Sequence, residues 1–282
     1  MLVVFIIHVC WFLYFVFANF SGAIAIKEFK WQLLIDMIII AVAAIIYFVW
    51  LRKNKNVKKA VSLIWTIFFT AYIFYFFYFL LCFVFNPPIT LTQVGSIIQG
   101  NGLSRDYISY DAMGSNIKLA VIASEDQHFP DHDGFDIKAI KKAMKYNEKH
   151  PAKTRGASTI SQQTAKNVFL WQHGGFFRKG LEVYFTFMIE KVWGKKRILE
   201  TYLNVAEMGP GIFGVQAAAR SYFNKDAKNL TRSEAAMIAA CLPNPKKFTV
   251  KPLSRYVSLR SANLLRQMNN LEDDPDIQEL IR

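Results

Sequence analysis

The first 86 residues confine the fold more than any other stretch, because they are three apolar runs separated by short polar breaks. Leu2 to Phe17 is nearly unbroken. Trp31 to Leu51 is interrupted only by Gln32 and Asp36, and Ala60 to Phe85 carries no charge. A bilayer core takes about 20 apolar residues per helix, so the second and third runs read as membrane spans and the first, though shorter, as a third. Ala23-Ile24-Ala25 resembles a small-residue cleavage site, but no basic stretch precedes the first run, so it reads as a retained helix.

Charge orients the spans. Arg52, Lys53, Lys55, Lys58 and Lys59 crowd the loop over 52–59, whereas the loop over 19–30 has only Lys27 and Lys30, offset by Glu28. Positive-inside bias puts 52–59 in the cytoplasm and everything after Phe85 outside. The formal net charge of +13 remains strong there, with 27 Lys+Arg against 19 Asp+Glu after residue 86. A basic domain tethered to a bilayer suits anionic headgroups or phosphate-bearing substrates. Nucleic acid is excluded as a partner by the location and the absence of any such motif. Cys10, Cys82 and Cys241 are too scattered for a disulfide framework.

Asn86-Pro87-Pro88 ends the third run. Residues 1–86 are read as the membrane region, 87–114 as an irregular or short-strand connector broken by Gly95, Gly100, Gly102 and Gly114, and 115–282 as a mainly α domain. Helical periodicity predicts segments over 115–127, 136–147, 158–169, 177–193, 195–207, 213–222, 231–241 and 254–271.

Three clusters could do chemistry, and a fourth group reads mostly as scaffold. Ile117, Val121 and Glu125 recur every four residues, which places Glu125 near the apolar face of its helix, a partly desolvated setting that favours a general base, with a plain helix C-terminus and polar turn as the alternative. Asp126 beside it is expected to stay solvated or cap the next turn. His128, His132 and the nearby aspartates leave a metal site open as an alternative. Thr159 and Gln162 fit a capping box, and Ser158, Gln162 and Lys166 recur every four, so hydroxyl, amide and ammonium share a face that could hold sugar hydroxyls and a pyrophosphate, with an ordinary capped surface helix as the alternative. Arg178 and Glu182 form an i,i+4 pair whose default is a surface salt bridge, with Arg178 and Lys179 facing a diphosphate as the functional alternative. Lys196 to Asn204 is amphipathic, and Gly214 to Ala219 is a small-residue run suited to close helix packing.

In order, these segments resemble the peptidoglycan glycosyltransferase family, particularly its monofunctional biosynthetic members, over about residues 116–268. Glu125-Asp126, Phe129, His132, Gly134 and Asp136 match the first motif. Gly156, Ser158, Thr159, Gln162, Gln163, Lys166 and Asn167 match the second. Arg178, Lys179 and Glu182 match the third, Ile198, Leu199, Tyr202, Leu203 and Asn204 the fourth, and Gly214 through Phe223 the fifth.

The resemblance implies a lysozyme-like, two-lobed helical fold at the bacterial cytoplasmic membrane, with the catalytic domain on the extracytoplasmic side. It implies polymerisation of lipid II onto a growing lipid-linked glycan strand, in a wall-synthesis setting where other cell-wall proteins are partners. Glu125 would be the base and Glu182 the second essential carboxylate. Asp126, Phe129, His132, Ser158, Thr159, Gln162, Gln163, Lys166, Asn167, Arg178 and Lys179 would bind substrate. A divalent cation, Mg or Mn, at the pyrophosphate is left open.

Three departures stand out. His173-Gly174-Gly175 lies where relatives commonly carry an arginine, three apolar runs replace the usual single membrane helix, and Ser115-x-x-Lys118 has no Lys-Thr-Gly partner for a transpeptidase domain. A lysozyme-like hydrolase and an inactive membrane scaffold are the rival readings. The cations argue against the first, and the paired glutamates against the second.

Overall fold

The computed structural model describes Val42 and residues 53–151, 155–172 and 174–282. The first two apolar runs, apart from Val42, and His173 lie outside the described residues. Two compact units divide the chain, Met1–Cys82 and Phe83–Arg282.

Helix α1 (Lys55–Val84) is the third apolar run. Asn54 starts it by accepting the Asn56 amide at 2.9 Å, so the basic loop expected over 52–59 is shorter, with Lys55, Lys58 and Lys59 already helical. Among the described residues it is the one helix long and apolar enough to cross a membrane, with a mean hydropathy of 2.2 over its best window. Ile64, Phe74 and Phe77 are exposed, which is compatible with a membrane-spanning helix.

The segment expected to be irregular or short-strand contains a helix, α2 (Leu91–Ile98). Thr90 and Gln93 close a capping box at its start, and that reciprocal pair outweighs the roughly 1 kcal/mol cost of Gly95 inside the helix. Strand β1 (Ser104–Arg105) follows, and Ser115–Glu125 forms α3.

Then come α4 (Ile137–Lys149), α5 (Ile160–Phe169), α6 (Phe176–Val192) and α7 (Gly194–Val205). Strands β2 (Glu207–Gly209) and β3 (Ile212–Phe213) precede α8 (Val215–Phe223), α9 (Arg232–Cys241), α10 (Arg255–Leu271) and α11 (Pro275–Ile281). The small sheet, order β1-β3-β2, was not foreseen. β1 runs parallel to β3, with Ser104 opposite Ile212, and β2 runs antiparallel to it. Asn204 clamps the chain entering this region, its side chain accepting the Ile108 amide at 3.0 Å and donating to the Ile108 carbonyl at 2.9 Å.

Two packing groups build the second unit. In one, α3 is packed by α9 and α10; in the other, α5 is packed by α6 and α7. α3 is buried from Ile117 through Ala123 on every face, so it is a core helix and not the amphipathic one its spacing suggested. Even Lys118 is only 1% exposed, its ammonium over the Tyr110 ring at 3.6 Å and donating to the Ile281 carbonyl at 3.3 Å. The alanine-rich start of α8 is buried as its small residues anticipate, and Gly214 takes φ +83° where a Cβ would lie 2.5 Å from the Asn204 carbonyl oxygen. Cys241 is buried in α9, and burial pushes its thiol up to about 12, so it is an inert core residue.

Candidate active site

Glu125 is the last residue of α3, the point at which a fully buried helix emerges. It lines a cleft of about 790 Å³ together with Arg155, Ser158, Gln163, Tyr256 and Arg260. Both carboxylate oxygens are held. Ser124 Oγ donates to Oε1 at 2.9 Å, and Gln163 Nε2 donates to Oε2 at 2.9 Å. Gln163 is itself oriented by the buried Tyr202, whose hydroxyl donates to its Oε1 at 3.2 Å. That hydrogen bond fixes which end of the amide faces the glutamate.

Asp126 is 7% exposed, contrary to the solvated or locally capping role expected of it. Its Oδ2 accepts the Ile160 amide at 3.0 Å, so it caps α5, an element 34 residues further on. Its other contact is His132 Nε2, at 3.0 and 3.1 Å. The Gly134 amide donates to His132 Nδ1 at 3.1 Å, which leaves the ring proton on Nε2 and aimed at Asp126. Gly134 has φ +87°, and a Cβ there would meet Thr186 Cγ2 at 2.8 Å and Glu190 Cγ at 2.9 Å. The first motif is thereby fastened to the start of the second.

Two residues the sequence reading passed over support this knot from below. Lys195 donates to the His132 carbonyl and to Glu190 Oε1 (2.8 Å), and its ammonium lies 4.6 Å from the Phe129 ring centre. Ser161 donates to the same Glu190 oxygen. Phe129 is fully buried and outside the cleft lining. Lys195 and Glu190 stand five apart, not the three or four at which side chains on one helix meet, so spacing did not mark them as a pair.

The second motif divides. Ser158 is exposed on the cleft but precedes the helix, so it does not share a helical face with Gln162 and Lys166. Thr159 and Gln162 are buried and form the expected capping box, while Thr159 Oγ1 also donates to the Gly134 carbonyl at 2.6 Å. Asn167 is buried, and its Oδ1 accepts from Gln172 at 3.1 Å. Gln163 and Lys166 are the α5 side chains that are not fully buried.

Lys166 Nζ has no hydrogen-bond partner among the described residues. Burial pushes its ammonium below the ordinary lysine value, opposed by Glu182 and Glu125 and reinforced by Arg178 and Lys179. Glu182 is only 2% exposed, so the surface salt bridge expected there is a buried one. Arg178 Nη1 donates to its Oε2 at 2.7 Å and Lys179 Nζ to its Oε1. Arg178 Nε is buried without a partner among the described residues. Gly174 lets the arginine stem lie close, since a Cβ there would be 3.0 Å from Arg178 Cβ. This cationic group stands outside the lining of the 790 Å³ cleft, and α5 joins the two by carrying Gln163 and Lys166.

No group of three or more His, Cys, Asp or Glu among the described residues is arranged to hold a metal. His132 is engaged by Asp126 and Gly134, and His128 forms an exposed pair with Asp131 at 3.2 Å. Both Glu182 oxygens are engaged by cations, so that carboxylate is not free for a divalent ion.

The transglycosylase family profile matches residues 92–269. This chain belongs to the peptidoglycan transglycosylase family. The chain is 52% identical over 198 residues to the biosynthetic peptidoglycan transglycosylases of Escherichia coli (strain K12 / DH10B) and Shigella boydii serotype 4, covering 69% of this chain and 82% of each relative. As a member, the transglycosylase is an enzyme of the peptidoglycan glycosyltransferase class. The match begins at Thr92, inside α2, so the helix missing from the sequence reading is part of the family domain.

Proposed function

We propose that this transglycosylase polymerises lipid II into β-1,4-linked glycan strands and releases undecaprenyl pyrophosphate. The growing strand, linked through its reducing-end MurNAc to the pyrophosphate, is the donor, and a new lipid II is the acceptor. Glu125 takes the proton of the acceptor GlcNAc 4-hydroxyl as that oxygen attacks MurNAc C1. The α-linked pyrophosphate departs and a β bond forms, so one inverting displacement is enough and no covalent intermediate on the enzyme is needed.

The observation that carries this reading is the placement of Glu125. Its carboxylate borders an open cleft, with one oxygen steadied by Ser124 and the other by Gln163. Neutral donors orient a carboxylate without removing the lone pairs a base needs. One helical turn along α5, Lys166 lacks a hydrogen-bond partner among the described residues and lies close enough to Arg178, Lys179 and Glu182 to feel their charges. Preorganised cations opposite developing phosphate charge stabilise the transition state more than the ground state. In this reading Glu182 aims Arg178 and Lys179 and does not touch the sugar. A divalent ion at the pyrophosphate would be held by phosphate oxygens, and no step is assigned to it.

Helix α1 anchors the enzyme in the bacterial cytoplasmic membrane, with its basic end in the cytoplasm and the catalytic unit outside, where a polyprenyl-linked substrate presents its sugars. The deciding experiment incubates the purified full chain with labelled lipid II in detergent and sizes the products. Polymer that forms with the native chain and disappears in Glu125→Gln is the expected result. Polymer from Glu125→Gln at native rate would remove Glu125 as the base, and shortening of preformed glycan without polymerisation would overturn the whole reading.

A further inference from the structure

We infer that Arg260 is a positioning residue for Glu125, acting through Ser124. The inference rests on the reading of Glu125 as the base. Arg260 belongs to α10, 136 residues from Ser124 and outside all five motifs. Its Nη2 donates to Ser124 Oγ at 3.2 Å and to the Ser124 carbonyl at 3.3 Å. Ser124 Oγ in turn lies 2.9 Å from Glu125 Oε1 and 3.2 Å from the Ala239 carbonyl.

A serine hydroxyl has one proton and two lone pairs. The guanidinium N–H occupies one lone pair, so the hydroxyl must act as donor to one of two acceptors. The carboxylate is both closer and charged, and charge-assisted hydrogen bonds are about twice as strong as neutral ones. That preference sends the proton to Glu125, and Arg260 holds the Ser124 oxygen where its hydroxyl can deliver it. Its second contact places a cation on a carbonyl in the last turn of α3, where the negative end of the helix dipole favours it.

The arrangement mirrors the other carboxylate oxygen. Tyr202 fixes Gln163, which holds Oε2; Arg260 fixes Ser124, which holds Oε1. Two neutral side chains touch the base, and each is set by a residue behind it. Arg260 also lines the cleft, so the competing possibility is direct contact with substrate, and the test separates the two.

The full chain in detergent is assayed for initial polymerisation rate against lipid II concentration. Arg260→Ala is expected to lower kcat about 10- to 100-fold, the value of a hydrogen bond to a charged group, with KM within about twofold. Ser124→Ala should lose kcat similarly, and the double variant should be no slower than the slower single, because both act on one path. Arg260→Lys should restore part of the loss, and it supplies the cycle with Ser124→Ala if Arg260→Ala does not fold. Arg266→Ala, an equal loss of charge on the same helix, should leave kcat unchanged.

Multiplicative losses in the double variant, a rise in KM at full kcat, or unchanged kinetics would each overturn the inference. So would a fall in melting temperature with the folded enzyme turning over normally, since that is a structural role alone. Glu125→Gln is run beside them. If it is inactive while Arg260→Ala is normal, only this inference fails; if it remains active, the base assignment fails first.

Discussion

Replacing Glu182 by glutamine tests whether the second glutamate is an anchor for charge. The carboxylate is buried, one oxygen accepting from Arg178 at 2.7 Å and the other from Lys179. Arg178 has only 13% of its side chain exposed, whereas Lys179 has 44% and is rescued by water when its partner is lost. The penalty therefore comes from Arg178. Breaking a buried pair from one side costs about 3–5 kcal/mol, and glutamine keeps the shape and one acceptor, which sets the expectation near 3 kcal/mol. For a unit of this size that is about 6–12 °C in melting temperature, read by thermal unfolding in detergent. Inorganic pyrophosphate should return more of that loss in the variant than it adds to the native chain, because an anion re-enters a site that has lost one. Adding Arg178→Met should also restore stability, since removing both partners of a buried pair costs less than stranding one. A melting temperature within about 2 °C of native for Glu182→Gln, or a double variant less stable than either single, would refute the reasoning.

Two further outcomes follow from the same geometry. Lys166 has a folded value below the ordinary lysine value because it is buried, so the native state releases its proton before the unfolded chain does. Stability should therefore rise with pH between the two values while turnover falls, and Lys166→Met should be nearly inactive and flatten the stability slope, as paired pH series of rate and melting temperature would register. Asp126→Ala strands the Ile160 amide and the His132 ring and should cost about 1.5–3 kcal/mol in denaturant unfolding, with Asp126→Asn recovering part of it.

The ordered motifs made the family and the mainly α fold legible, because each motif has fixed spacing and the set has a fixed sequence. What spacing could not carry was depth. The i,i+4 relation of Arg178 and Glu182 is the same on a surface and in a core, and the structure puts Glu182 at 2% exposure. Glu125 was expected on an apolar stripe, yet α3 is buried all round; the glutamate reaches the cleft because the helix ends there. Ser158, Gln162 and Lys166 looked coplanar only if the helix began at 158. Thr159 is the cap, so Ser158 lies outside the helix and Gln162 turns back to the cap. In α2, Gly95 was weighted as a breaker and the Thr90–Gln93 box was missed. Arg260 could not be reached at all from sequence, since nothing local to α10 announces a hydrogen bond to a residue 136 positions earlier.

Helix α5 is the element that makes the proposed displacement geometrically coherent. An inverting attack needs the entering and leaving oxygens on opposite sides of one carbon, hence a base and a leaving-group cation a few ångströms apart and rigidly spaced. Gln163 touches Glu125 and Lys166 feels both Glu125 and Glu182, and these two residues are three positions apart on one helix. That spacing is about 4.5 Å of rise on one face. The helix cannot stretch, and its start is fixed by Asp126, Thr159 and Gln162. Substitutions that loosen the cap should then degrade kcat more than KM, because they blur the distance between base and cation without removing either one.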